Sequence, residues 1–245
     1  MNLLSADDLQ AIALSLRVAG AATLVDLPLA LLCALMLVRG RFIGRNLLDA
    51  LVYLPLVLPP VATGYGLLVL LGRDGLVGGV LADMGVVFAF RWTGAALAAG
   101  VMAFPLTVRP MRLAIEAIDR EVEESAISLG ASLPVRLVRI TIPLALPGVA
   151  AGALLGFAKA LGEFGATITF VGAIPGETLT LPSAIYAATL SPGDETHALV
   201  LCLVAAAIAV IAVLASNALT KRAVRWSHGA SRLAPSPPPK PRRPG

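Results

Sequence analysis

The chain has 245 residues, of which 58% are hydrophobic and 14% charged, with a formal net charge of +4. A soluble domain carries about 25% charged residues, so this deficit, with a mean hydropathy of +0.86, excludes an ordinary soluble core and points to one integral membrane domain. The positive balance does not signal a nucleic-acid partner, because the charges lie in loops and in a tail beside apolar runs.

The opening, MNLLSADDLQ, carries Asp7 and Asp8 and no basic residue before Arg17. A signal peptide needs a positive leader, so the first apolar run is expected to stay in the mature protein. Crossing a ~30 Å hydrocarbon core takes roughly 17–25 helical residues. Five runs qualify or nearly so: Ala11–Val38, Ala50–Leu71, Trp92–Val108, Ile142–Leu161 and Ala198–Leu219. An all-α membrane domain over 1–220 is therefore expected. Asp26 stands in the first run without a local partner; it reads as a water-facing or interhelical hydrogen-bonded carboxyl. Cys33 and Cys202, both inside apolar runs, read as small packing residues.

Pro55, Pro59, Pro60 and Gly64 should kink or unwind the second run. Broken helices inside a membrane are tolerated where protein or a water-filled cavity surrounds them. Pro59 and Pro60 therefore mark either a transport path or a structural bend.

Residues 119–143 interrupt the apolar pattern with DREVEESAISLGASLPVRLVRITIP. Asp119 suits a helix N-cap, and Glu121, Glu123 and Glu124 suit the positive end of the helix dipole. Val122, Ala126 and Leu129 fall on one helical face, which Ile118 extends. Gly130 suits a left-handed stop, Ser132 and Pro134 a second short helix, and Pro143 and Pro147 the opening of the next span. Taken alone, the segment is either a docking element or an ordinary loop helix.

In the fourth run Gly148, Gly152 and Gly156, with Ala160, recur every four residues and form a face that another membrane helix can approach closely. Lys159 and Glu163, one helical turn apart, could pair. An ionisable residue in a span is costly to bury, so this pair is either the entry to a pathway or a self-neutralising structural contact. Residues 164–190, broken by Gly and Pro, read as a partly inserted or surface segment rather than a sixth span. The tail 221–245, basic and Pro-rich, is expected to be a disordered cytoplasmic strand, solvated or touching anionic membrane lipid.

Fifteen of the nineteen basic residues fall in the loop 39–45, the segment 109–139 and the tail after 220. The positive-inside rule makes that side cytoplasmic and sets the N-terminus outside. Five spans are few to enclose a pathway, which suggests two copies sharing one about a two-fold axis. The three lysines follow Ala158, Thr220 and Pro239, so no Gly-Lys exists and a phosphate-binding P-loop is excluded. Two histidines without a zinc motif and the lack of G-x-S-x-G leave little for an enzyme.

The spacing Glu124-Ser125-Ala126, three residues, Gly130, nine residues, Ile140-Thr141-Ile142-Pro143 resembles the EAA motif of ABC-importer permeases, with Ser125 and Ile142 as mild departures. The resemblance implies a type I permease architecture whose coupling helices, here carrying Glu124, Ser125, Ala126, Gly130, Ile140, Ile142 and Pro143, sit in a cleft of a separate ATPase subunit. ATP and Mg would then be bound by that subunit, with no cofactor in this chain. The stretches YLPLVLPPVATGYGLLVLLGRDG, VMAFPLTVRPMRLA and ALGEFGATITFVGAIPGETLTLPSAIY are similar to permeases of molybdate importers. Sulfate permeases share a related G-E-F-G segment, and tungstate is a further alternative. This resemblance implies an inner-membrane homodimer, two ATPase subunits, an extracytoplasmic binding protein, and a gate around Gly162, Glu163, Phe164, Gly165 and Thr167. The competing class is an ion-coupled secondary transporter using Asp26, Lys159 and Glu163.

Overall fold

A computed structural model describes residues 4–231, and among them every regular element is helical. The chain runs α1 (Ala6–Arg39), α2 (Arg45–Val57), α3 (Pro60–Leu71), α4 (Gly78–Asp83), α5 (Trp92–Glu116), α6 (Arg120–Ser128), α7 (Leu133–Arg136), a π turn (Leu137–Thr141), α8 (Ile142–Leu161), α9 (Gly165–Val171), α10 (Leu181–Leu190) and α11 (Glu195–Ser231). Four helices are long and apolar enough to cross a membrane, or five if α2 and α3 together make one span.

The register of α1 against α5 can be followed from end to end. The Arg17 guanidinium lies 3.7 Å from the centre of the Trp92 ring. Asp26 lies against Gly100, and Arg39 Nη2 donates to the Ile115 carbonyl at 3.3 Å. The residue numbers rise together, so the two helices run parallel. Their outer contact is paved with small side chains, among them Ala19, Ala22, Ala95, Ala98 and Ala99, all nearly or fully buried. Lipid offers apolar surface as good as a helix does, so close backbone approach rather than apolar burial holds such pairs together.

Against α5, α8 runs the opposite way. A Cβ on Gly148 would come within 2.4 Å of the Ala114 Cβ, one on Gly152 within 2.5 Å of the Thr107 carbonyl oxygen, and one on Gly156 within 2.3 Å of Thr107 Oγ1. The glycine face therefore lies where α8 meets α5.

At the far end of α1 the start is capped reciprocally. Ser5 N donates to Asp8 Oδ2 at 2.7 Å and Asp8 N to Ser5 Oγ at 3.2 Å, satisfying two otherwise orphaned amides. His197, at the start of α11, lies 3.0 Å from the same Asp8 oxygen, so α11 begins beside α1. Since α8 ends and α11 begins at this end, α9 and α10 form a cap across it.

Several boundaries differ from those expected. The second apolar run is two helices bent by 116°. The break falls at Leu58–Pro59, while Pro55 stays inside α2 and Gly64 inside α3. Here α3 leans on α9: a Cβ at Gly64 would meet the Ala166 carbonyl oxygen at 2.4 Å. The second short helix and the fourth run are not separate, because the π turn joins them into one helix over Leu133–Leu161. Cys33 is buried but Cys202 is exposed, so Cys202 is not a packing residue within this chain. Helix α11 continues to Ser231, past the expected start of the tail at 221; the remaining part of that tail lies outside the described residues.

Candidate functional site

The residues singled out above gather at the two ends of the bundle. At the end where α1 and α5 finish, Asp119 caps α6, its carboxylate accepting from Glu121 N at 3.0 Å. Gly130 has φ +80°, a left-handed conformation that glycine adopts without a Cβ clash, and it turns the chain between α6 and α7. Pro134 enters α7 in its first turn.

The apolar stripe along α6 is divided: Ile118 and Ala126 are buried, and Val122 and Leu129 are not. Ala126 is the one buried residue of α6, whereas Val122, Ile127, Leu129 and, at the start of α7, Leu133 are exposed, Leu129 by 88%. A helix that faces away from its own bundle carries the same periodicity as one that faces into it, so spacing alone left open what covers this stripe. Glu124 and Ser125 are exposed on α6 beside these apolar side chains. Ile140 and Ile142 are half-buried near the π turn, and Pro143 opens α8.

Glu123, which spacing alone did not single out from its neighbours, anchors the segment. Its Oε1 accepts from Arg39 Nη2 at 3.0 Å and from Thr141 Oγ1 at 3.1 Å. No local pattern marks it, because these partners lie 84 and 18 residues away in sequence.

At the opposite end Lys159 and Glu163 do pair, Nζ to Oε2 at 2.5 Å, with the Glu163 side chain 1% exposed and that of Lys159 29%. The other carboxylate oxygen accepts from Ala166 N at 3.0 Å, so Glu163 also caps α9, where orphan amides need an acceptor. Thr167 Oγ1 donates to the Phe164 carbonyl at 2.8 Å, and the Phe164 and Tyr186 rings lie 4.9 Å apart. A Cβ on Gly165 would meet Pro60 Cβ at 2.7 Å. The fold thus brings Pro60, at the break after Pro59, against the Gly162–Thr167 turn. Gly162 itself is exposed, with room for a Cβ.

Asp26 joins neither cluster. Its carboxylate faces Gly100 at the wall of a cavity of ≈ 740 Å³ between α1, α2 and α5, lined mainly by apolar side chains such as Leu29, Leu51, Trp92 and Phe104. Oδ2 is buried without a hydrogen-bond partner, so of the two expected readings, water-facing or interhelically hydrogen-bonded, the second is not met at that oxygen. Among the described residues no group of His, Cys, Asp and Glu is placed to hold a metal ion.

Three comparisons bear on this arrangement. The molybdenum transport system permease protein ModB of Escherichia coli (strain K12) is 51% identical over 213 residues, which is 86% of this chain and 93% of that protein. A probable sulfate transport system permease protein, cysT of Nephroselmis olivacea, is 35% identical over 209 residues, 85% of this chain and 73% of that one. Among solved structures, a bacterial ABC transporter involved in the import of the acidic polysaccharide alginate shares the fold with a TM-score of 0.73 at 24% identity, over 89% of this chain and 80% of its counterpart. Residues 26–230 match the model of the family described as binding-protein-dependent transport system inner membrane component. With that match covering most of the sequence, the chain belongs to the inner membrane components of binding-protein-dependent transport systems.

Proposed function

We propose that the chain is the permease subunit of an ATP-driven importer of molybdate, acting as a homodimer with two cytoplasmic ATPase subunits and an extracytoplasmic binding protein. The observation that carries this reading is the 51% identity to the Escherichia coli molybdenum permease across nearly the full length of both chains. Identity to the sulfate permease is lower, at 35%.

Five crossings with the N-terminus outside fit the packing. Helices α1 and α5 run parallel, so the chain between them returns across the bilayer once, and α2 with α3 supplies that crossing despite the bend. The α6 end, rich in arginine, is then cytoplasmic. Exposed Glu124 and Ser125, with Ile127, Leu129 and Leu133, offer the ATPase an apolar patch beside a carboxylate. The same surface would be costly to leave in water on a lone chain.

The geometry supports a mechanical sequence. Closure of the ATPase dimer draws the two copies of α6 and α7 together. Helix α7 continues through the π turn into α8, and the close backbone contact at Gly148, Gly152 and Gly156 makes α5 move with α8. The far end of α8 carries Lys159 and the Gly162–Thr167 turn, which rests on Pro60 and, through Ala166, on Gly64. A tilt of α8 separates these contacts and opens the outer side; ATP hydrolysis in the partner subunit resets them. Selectivity for the dianion falls to the binding protein, since Lys159 is already neutralised by Glu163.

The test uses the permease–ATPase complex in proteoliposomes with loaded binding protein, scoring molybdate uptake with sulfate as competitor and vanadate-sensitive ATPase activity. Gly130→Pro is the diagnostic variant, because proline fixes φ near about −65° where the turn has φ +80°. Wild type should import molybdate in preference to sulfate, and the variant should uncouple or release the ATPase with its membrane domain folded. Sulfate competing on equal terms would overturn the substrate assignment, and an unaltered Gly130→Pro complex would overturn the coupling role.

A further inference from the structure

The role given to the α6 surface leaves its most tightly held acid unused. Glu124 is exposed. Glu123 beside it has a side chain only 16% exposed, and its Oε1 is a shared acceptor for Arg39 at 3.0 Å and Thr141 at 3.1 Å. The same Arg39 nitrogen donates to the Ile115 carbonyl at 3.3 Å. Arg39 is the last residue of α1, Ile115 lies in the last turn of α5, and Thr141 closes the π turn that leads into α8. One carboxylate oxygen therefore joins α6 directly to the end of α1 and to the turn that leads into α8, and through Arg39 to α5.

Little else fastens α6. Ala126 is its one buried residue, so apolar burial holds it weakly. The polar clamp sits partly out of water, where a charge-assisted bond is stronger than on an open surface. It also grips a special place. The π turn is the one departure from α geometry within Leu133–Leu161, with Ile142 N bonded to the Leu137 carbonyl, and such wide turns concentrate at functional sites. Thr141 itself is 1% exposed, so its hydroxyl has little choice of partner.

We propose that Glu123 is the positioning residue that transmits movement of α6 to α1, α5 and α8, while Glu124 on the exposed face meets the ATPase. This rests on the reading that α6 docks the ATPase. Displacing α6 pulls Glu123 against Arg39 and Thr141 together, so the ends of α1 and α8 move as a unit instead of α6 sliding under them. Removing the carboxylate leaves docking intact and cuts transmission.

The experiment uses the reconstituted permease–ATPase complex with its loaded binding protein. It reads two quantities: ATPase retained on copurification, and the ratio of stimulated to basal ATP hydrolysis. For Glu123→Ala the ATPase should copurify as with wild type while the ratio falls about tenfold, the scale of one lost hydrogen bond to a charged group. Glu123→Gln, which keeps the shape and an acceptor oxygen, should lose less. Exchanging the charges, Arg39→Glu with Glu123→Arg, should recover most of the ratio, whereas either reversal alone should not. An unchanged ratio in Glu123→Ala overturns the proposal, and so does release of the ATPase by Glu123→Ala that the charge exchange fails to cure, since Glu123 would then only support docking. If Gly130→Pro releases the ATPase in the same preparation, the docking reading survives either result. If Gly130→Pro is silent, the docking reading falls and takes this proposal with it.

Discussion

Removing Lys159 should harm this protein more than removing Lys159 and Glu163 together. The Glu163 side chain is 1% exposed and its carboxylate has two partners, Lys159 Nζ at 2.5 Å and Ala166 N at 3.0 Å. In Lys159→Ala the carboxylate stays buried with the amide alone, and stranding one member of a buried pair costs about 3–5 kcal/mol. Because Lys159 is 29% exposed, its ammonium is not fully desolvated, so the lower end of that range, about 3 kcal/mol, is expected. In Glu163→Ala the freed ammonium reaches water, and the main penalty is the orphaned Ala166 amide, about 1–3 kcal/mol. The double variant carries only that second penalty. A double-mutant cycle on thermal unfolding in detergent, followed by circular dichroism, should therefore give a coupling energy of about 3 kcal/mol, at the upper end of the range seen for residues in contact. Additive single effects, within about 0.5 kcal/mol, would refute the reasoning, because they would mean that the pair does not interact in the folded membrane domain.

Gly152→Ala should destabilise by about 1–3 kcal/mol, the usual cost of overpacking, because its Cβ would meet the Thr107 carbonyl oxygen at 2.5 Å and backbone cannot step aside. Gly162→Ala is the matched control in the same melt: its nearest neighbour would be the Ala158 carbonyl oxygen at 3.7 Å, so the midpoint should hardly move. Asp26→Asn keeps the shape and removes an ionisable group whose Oδ2 has no partner. It should leave uptake intact and stability unchanged or higher, by up to about 1–3 kcal/mol; abolished uptake would return Asp26 to the transport path.

The parts of this fold that depend on local sequence were legible, and those set by a distant neighbour were not. Apolar length marked the main helices, and Pro59 and Pro60 marked a break in the second run. The 116° of that break depends on how α3 rests on α9, where Gly64 meets Ala166, a contact a hundred residues away along the chain. The glycine face of α8 was readable because a four-residue repeat is a property of one helix, whereas its partner, the Thr107–Ala114 stretch of α5, was not. Glu123 looked like one acid among several near a helix N-terminus, and only the arrival of Arg39 and Thr141 separates it from Glu124.

Helix α6 shows most clearly what spacing leaves open. Hydrophobic periodicity reports that a helix has a face unsuited to water; it does not report which molecule covers that face. For α8 the cover is α5, within the same chain. For α6 the chain offers Ala126 a place inside and leaves Val122, Ile127 and Leu129 outside, although acids crowd the same helix and lower its overall hydrophobicity. A segment that is apolar on its outer side, capped at Asp119, stopped by a left-handed Gly130 and tied inward by one carboxylate has the features of a rigid part presented to another protein. The exposure of residues 119–143 is what docking into an ATPase cleft, as proposed above, would require.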